Sequence, residues 1–133
     1  MYLLKSIKAR DYMAANLVTL SPDTEILRAI SLLIENRISG APVVDGRGNL
    51  VGVLSEQDCM QVALRAGYHE ELGGRVSEFM SREVETVDAD TSILVLAEKF
   101  VNARYRRYPV LQDNRLVGQI SRRDVLRALQ TLS

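Results

Sequence analysis

The sequence predicts an α+β fold: two βαββα repeats packed as a pseudo-two-fold pair, each with a small three-stranded sheet and two helices. Three observations carry this. Short β-branched runs alternate with helical apolar faces along the 133 residues. The order of residues recurs at a nearly fixed offset. Each repeat ends in the same strand-to-helix turn, Gly52-Val53-Leu54-Ser55-Glu56-Gln57-Asp58 and Gly118-Gln119-Ile120-Ser121-Arg122-Arg123-Asp124.

Taken in order, the chain opens on Leu3, Leu4 and Ile7, whose helical spacing predicts a lead-in helix within residues 1–10. Leu17-Val18-Thr19-Leu20 reads as a short strand. Ser21-Pro22-Asp23-Thr24 reads as a helix start, with Ser21 as cap and Pro22 in the first turn. Ile26, Ala29, Ile30, Leu33 and Ile34 give that helix one apolar face. Ala41-Pro42-Val43-Val44 is a second strand, Asp45 to Asn49 a hairpin turn, and Leu50 to Leu54 a third strand. A helix follows from about Glu56 to Arg65, then a glycine-bearing linker.

The pattern then returns. Met13 matches Met80, Thr19 matches Thr86, and Pro42-Val43 matches Pro109-Val110, all 67 residues apart. The second hairpin, Gln112 to Arg115, is one residue shorter, so Ser55 and Asp58 match Ser121 and Asp124 at 66. A length change confined to a turn is the least disruptive kind. The expected division is therefore a lead-in helix at 1–10, a first repeat at 11–66, a linker at 67–77 and a second repeat at 78–133. One such unit has a poor core alone, and two can bury their faces together.

Composition narrows the function. Hydrophobic residues make up 47% of the chain, enough for a core. Lys+Arg and Asp+Glu are both 17, which argues against a general nucleic-acid binder. No apolar run approaches the ~20 residues of a membrane span, and the N-terminal apolar stretch is too short for a signal peptide. The lone Cys59 permits no internal disulfide and fits a reducing cytoplasm, as a small core residue. Met60 and Met80 are expected in the core. His69 has no cluster of ligands around it, so no metal site is expected.

In the two turns the serine sits at an N-cap position with an aspartate three residues on, a capping-box spacing. The glycine lets something approach the backbone closely. A hydroxyl at a helix N-terminus can hold an anion, and a carboxylate can accept two hydrogen bonds from a sugar diol. Used twice, the set points to a ligand carrying ribose and phosphate.

Two copies of strand-helix-strand-strand-helix, each closing on Gly-apolar-apolar-Ser-x-x-Asp or nearly so, resemble a tandem pair of cystathionine β-synthase (CBS) domains, a Bateman module, over roughly Asp11 to Leu132. Gln119 departs from the apolar residue usual after the glycine. The resemblance implies clefts for AMP, ADP or ATP, with S-adenosylmethionine or NAD(H) as alternatives, and a non-catalytic energy or metabolite sensor. It implies crossed clefts. One joins Val53, Ser55 and Asp58 to Thr86, Arg106, Arg107, Tyr108 and Pro109; the other joins Ser121 and Asp124 to Thr19, Ser39, Gly40, Ala41 and Pro42. The aspartates would hold ribose, the serines would face phosphate, and the threonines and pre-proline segments would frame adenine. Arg106 and Arg107 favour phosphate at the first of these clefts, since guanidinium donors form a fixed fork. Arg122 and Arg123 lie in the first turn of the second repeat's closing helix, where cations oppose the helix dipole and a bound phosphate would relieve them. Glu56 stands where Arg122 stands in the other repeat.

The competing expectation is a dimerisation or protein-interaction module with vestigial clefts. The helix faces carrying Cys59, Val62, Ala63 and Val125, Leu126, Leu129 would meet a second copy, a homodimer common in the family. Output would pass through an effector protein the sequence does not name. A hydrolase has only scattered serines and aspartates behind it.

Overall fold

The computed structural model describes residues 2–132; Met1, first residue of the expected lead-in helix, and Ser133, last of the second repeat, lie outside them. The elements in order are α1 (Tyr2–Ser6), α2 (Ala9–Tyr12), α3 (Ile26–Glu35), β1 (Gly40–Val44), β2 (Leu50–Ser55), α4 (Glu56–His69), α5 (Val76–Phe79), β3 (Val87–Asp88), α6 (Ile93–Asn102), β4 (Arg107–Gln112), β5 (Arg115–Ser121) and α7 (Arg122–Gln130). The fold is α+β, as expected. The chain forms two compact units, one spanning Val18–Val84 and the other taking the chain up to Leu17 together with Glu85 onward. The second unit is thus discontinuous, and the units are cut at different places from the sequence repeat.

In the Val18–Val84 unit, β1 and β2 pair antiparallel, with Gly40 opposite Ser55 and Val43 opposite Gly52. The expected first strand is reduced to one parallel bridge, in which Leu20 N–H donates to the Pro42 carbonyl and Val44 N–H to the Leu20 carbonyl. The run stops there because Ser21 to Thr24 folds into its own turn. Thr24 N–H bonds the Ser21 carbonyl at 3.0 Å and Asp23 N–H bonds Ser21 Oγ at 3.2 Å. Ser21 therefore serves a turn instead of capping a helix, a competition open to any serine. The helix begins at Ile26 with Glu25 as cap. Ile26, Ala29 and Leu33 of α3 meet Leu54, Cys59, Val62, Val76 and Phe79 in the core. Ile34 departs from the expected face and is 71% exposed.

Helix α4 runs to His69, well into the expected linker, and ends where Glu70 adopts a left-handed backbone (φ 57°). Met80 is in the core as expected, whereas Met60 is 58% exposed on the outer face of α4.

In the discontinuous unit, β3, β4 and β5 form one sheet, β3 parallel to β4 and β4 antiparallel to β5. The β4–β5 hairpin closes through Asp113 and Asn114, both at positive φ (53° and 65°). That pair of left-handed residues matches the twist of the flanking strands. Ile93, Leu96 and Phe100 of α6 pack on Tyr108, Val110 and Ile120 of the sheet and on Val125 and Ala128 of α7. Ala9 of α2 joins this core and is fully buried.

Candidate functional site

The two strand-to-helix turns have the same geometry. Ser55 caps α4: its Oγ accepts from Asp58 N–H at 3.1 Å, and Ser55 N–H donates to Asp58 Oδ2 at 2.9 Å. Ser121 caps α7 likewise, with Asp124 N–H to Ser121 Oγ at 3.2 Å and Ser121 N–H to Asp124 Oδ2 at 2.9 Å. Each aspartate thus spends one oxygen on its cap. The other oxygen differs between the units. Asp58 Oδ1 accepts from the Ser81 hydroxyl at 3.0 Å. Asp124 Oδ1 accepts from Arg127 Nη1 at 2.8 Å.

What crosses the glycines is the chain itself. A Cβ on Gly52 would lie 2.8 Å from the Ser81 carbonyl oxygen and 2.9 Å from Met80 Sδ. One on Gly118 would lie 2.6 Å from Met13 Sδ and 2.8 Å from the Ala14 carbonyl oxygen. Val53 and Ser81 exchange two backbone hydrogen bonds at 2.9 Å, and so do Gln119 and Ala14. The glycines read from sequence as room for a ligand are therefore accounted for by a methionine-led segment packed within the same unit.

Each turn lies beside the segment that precedes the proline of its own repeat. Gly40 pairs with Ser55, and Glu56 N–H donates to the Ser39 carbonyl at 2.9 Å. Arg107 pairs with Ser121, and Arg122 N–H donates to the Arg106 carbonyl at 3.1 Å. In the discontinuous unit these residues open on a cavity of about 1050 Å³ whose lining includes Arg106, Arg107, Gln119, Ser121, Arg122, Arg123, Asp124 and Arg127. The lining sets five guanidinium groups against one carboxylate. Such a wall, next to a helix N-terminus, is chemically suited to a ligand with several anionic oxygens.

The remaining expected residues lie as follows. Ser39 and Thr19 are exposed and Gly40 is half-buried, in the unit of Ser55 and Asp58. Ala41 and Pro42 are buried in β1, and Val53 is half-buried with its main chain tied to Ser81. Thr86 is half-buried just before β3, and Pro109 is buried in β4. Tyr108 does not line the arginine cavity. Its ring is fully buried against Phe100 (centroids 4.9 Å apart) and Tyr105 (5.6 Å). Its hydroxyl has no hydrogen-bond partner among the described residues, and burial pushes its phenol above the ordinary value. The crossed arrangement set Arg106 and Arg107 opposite Ser55 and Asp58, which belong to the other unit; within their own unit the arginines sit with Ser121 and Asp124.

Sequence reading missed Ser81 and Arg127. Two signals were available: Ser81 is the counterpart of Ala14 at the 67-residue offset, and Arg127 stands three residues after Asp124, one helical turn away. His69 is exposed at the end of α4, and no group of three potential metal ligands occurs among the described residues. Cys59 is buried, and that burial, followed by the nearby Asp58 and Glu56 charges, raises its thiol above the ordinary value.

A family comparison matches the CBS domain twice, over residues 9–65 and 76–131. The chain belongs to the CBS domain family. Among solved structures it is similar to the CBS-pair protein CBSX2 from Arabidopsis thaliana, with 26% identity and a TM-score of 0.80 over 95% of this chain and 96% of that one. A structure of CBSX2 in complex with AMP gives 28% identity and a TM-score of 0.82, covering 95% and 98%. The CBS domain pair of protein MJ0100, in complex with 5′-methylthioadenosine and S-adenosyl-L-methionine, gives 25% and 0.74, covering 95% and 98%. Among curated proteins, inosine-5′-monophosphate dehydrogenase of Methanocaldococcus jannaschii is 31% identical over 90% of this chain, which spans 23% of that enzyme. The chain thus spans less than a quarter of that enzyme and nearly the whole of the CBS-pair structures. No helix among the described residues is long and apolar enough to cross a membrane.

Proposed function

We propose that this CBS pair is a non-catalytic regulatory module of the cytoplasm that binds AMP, ADP or ATP and reports their level to a partner protein. The observation that carries the reading is the cavity that gathers Ser121, Asp124, Arg106, Arg107 and Arg122: a diol-accepting carboxylate, a hydroxyl at a helix N-terminus and a fork of guanidinium donors. Two structural neighbours crystallised with adenosine-containing ligands support it. Asp124 and Asp58 hold ribose, and Ser121 and Ser55 face phosphate. Thr19, Ser39, Gly40, Ala41, Pro42 and Val53 serve the first repeat (11–66), and Thr86, Arg106, Arg107 and Pro109 the second (78–133), with Tyr108 backing them from the core and 67–77 joining the repeats. Because Arg107 is the sheet partner of Ser121, the phosphate-binding arginines are assigned to the turn of their own repeat.

A thermal-shift panel of AMP, ADP, ATP, NADH and S-adenosylmethionine tests this. A ligand at a hundred times its Kd adds about 2.7 kcal/mol to the folded state, a rise of several degrees in Tm. One of the adenine nucleotides should give the largest shift; a flat panel overturns the reading.

A second reading, a homodimerisation module, has its own observation. Met60, Leu64 and Tyr68 are 58%, 47% and 79% exposed at helical spacing on α4, and Leu126 and Leu129 are 64% and 40% exposed on α7. Cys59, Val62 and Val125, expected at that surface, are buried in their own units instead. Replacing Leu64 with Glu should turn a dimer into a monomer by light scattering without altering nucleotide affinity.

A further inference from the structure

The two ribose-accepting carboxylates are not chemically equivalent, and the difference has one source. In the Val18–Val84 unit, the segment crossing Gly52 brings Ser81, whose hydroxyl holds Asp58 Oδ1 at 3.0 Å. In the discontinuous unit the matching segment brings Ala14, which has no hydroxyl, and Arg127 takes the corresponding oxygen of Asp124 at 2.8 Å. The counterpart of Arg127 in the first repeat is the uncharged Gln61.

A hydroxyl and a guanidinium make different demands on an incoming diol. The Ser81 hydroxyl rotates and both donates and accepts, so Asp58 can share it with a sugar at little cost. Arg127 donates only, and its bond to Asp124 is charge-assisted. A diol reaching for Asp124 Oδ1 must share or displace that bond. A neutral nucleoside offers the freed guanidinium nothing in return. A ligand with phosphates does, because Arg127 borders the same cavity as Arg106, Arg107, Arg122 and Arg123.

We propose that Arg127 is a specificity-determining residue of the second-repeat site. Its pairing with Asp124 discriminates against uncharged adenosine and in favour of adenosine di- and triphosphates, whereas the Asp58 site, with Ser81 on its carboxylate and Glu56 in its helix's first turn, carries no such bias. This rests on the reading of the cavity as a nucleotide site.

The test is a titration of the full chain, 15N-labelled, with adenosine and separately with ATP. The amides of Arg122 and Arg123 report the second-repeat turn, and those of Glu56 and Gln57 the first. In the unsubstituted chain the Arg122 and Arg123 amides should show a strong preference for ATP. Arg127→Gln, which installs the first-repeat residue type, should shrink that preference by about tenfold, chiefly by tightening adenosine. Arg127→Lys should restore most of it, and the ratio at Glu56 and Gln57 should not move in either variant. Arg127 is 56% exposed, and an unchanged melting temperature checks that the substitutions leave the fold intact. An ATP-to-adenosine ratio within twofold of the unsubstituted chain in Arg127→Gln overturns the proposal while leaving the nucleotide site standing. If neither ligand moves the Arg122 and Arg123 amides in the unsubstituted chain, the site reading itself falls and this proposal falls with it.

Discussion

At Gly118 a single methyl group decides whether the discontinuous unit can close. Its Cβ would meet a backbone oxygen at 2.8 Å as well as the Met13 sulfur at 2.6 Å. A methionine can swing aside, but the Ala14 carbonyl is fixed by its hydrogen bond to Gln119 N–H. Gly118→Ala should therefore destabilise by about 2 kcal/mol in urea unfolding, and adding Met13→Ala should recover only part of the loss. Gly67 is the opposite case. It lies within α4 with nothing within 4 Å of a built Cβ, so Gly67→Ala should stabilise by about 0.5–1 kcal/mol. The sequence reads Gly118 as room for a ligand and Gly67 as the start of a linker, and neither reading tells which is crowded. Which one is crowded depends on a segment about a hundred residues away, and only the recurrence of Met13 as Met80 hinted at that partner.

Among the elements, the two capping turns were fully legible in the sequence, because Ser and Asp three apart satisfy each other locally whatever surrounds them. The α3 start was not, because Ser21 had two local partners to choose between and took the turn. Helix α5, straddling the end of the expected linker and the start of the second repeat, was hidden by its length, only Val76–Phe79. Its stability comes from outside: Glu78 accepts from Arg75 N–H, and its Oε1 pairs with Arg65 of α4 at 3.1 Å. These bonds, the Arg75 backbone first and Arg65 next, hold the Glu78 carboxyl below its ordinary value of 4.5. A carboxyl lowered in the folded state stabilises fully above its unfolded pKa and loses that contribution as pH falls through the folded one. The stability gap between the unsubstituted chain and Glu78→Gln should thus be present at pH 7 and shrink below about pH 4.5. Urea midpoints at pH 7 and pH 3.5 measure it, and an equal gap at both would show that the carboxylate's charge is not what holds α5.

For the whole molecule, the order of the chain and the order of the units disagree, and that has a consequence for truncation. Residues 2–10 precede the first repeat and Asp11 and Tyr12 open it, yet all are built into the unit of the second. Ala9 N–H donates to the Thr91 carbonyl at 2.8 Å, Arg10 N–H to the Ala89 carbonyl at 3.0 Å, and Ile93 N–H to the Ile7 carbonyl at 2.8 Å. Arg10 also pairs with Asp90 and holds its carboxyl below the ordinary range. Leu4, Ile7 and Tyr12 pack on the core formed by Ile93, Tyr108 and Val125. Removing residues 1–12 strips these contacts, while no residue of the Val18–Val84 unit's core lies in the deleted segment. Hydrogen exchange on the truncated chain should therefore quicken by roughly tenfold or more in α6, β4 and α7, and change little in α3, β1 and α4. The damage would appear some eighty residues downstream of the cut. Faster exchange in α3 and α4, with α6 and α7 unaffected, would instead assign the leading helices to the repeat they adjoin in sequence.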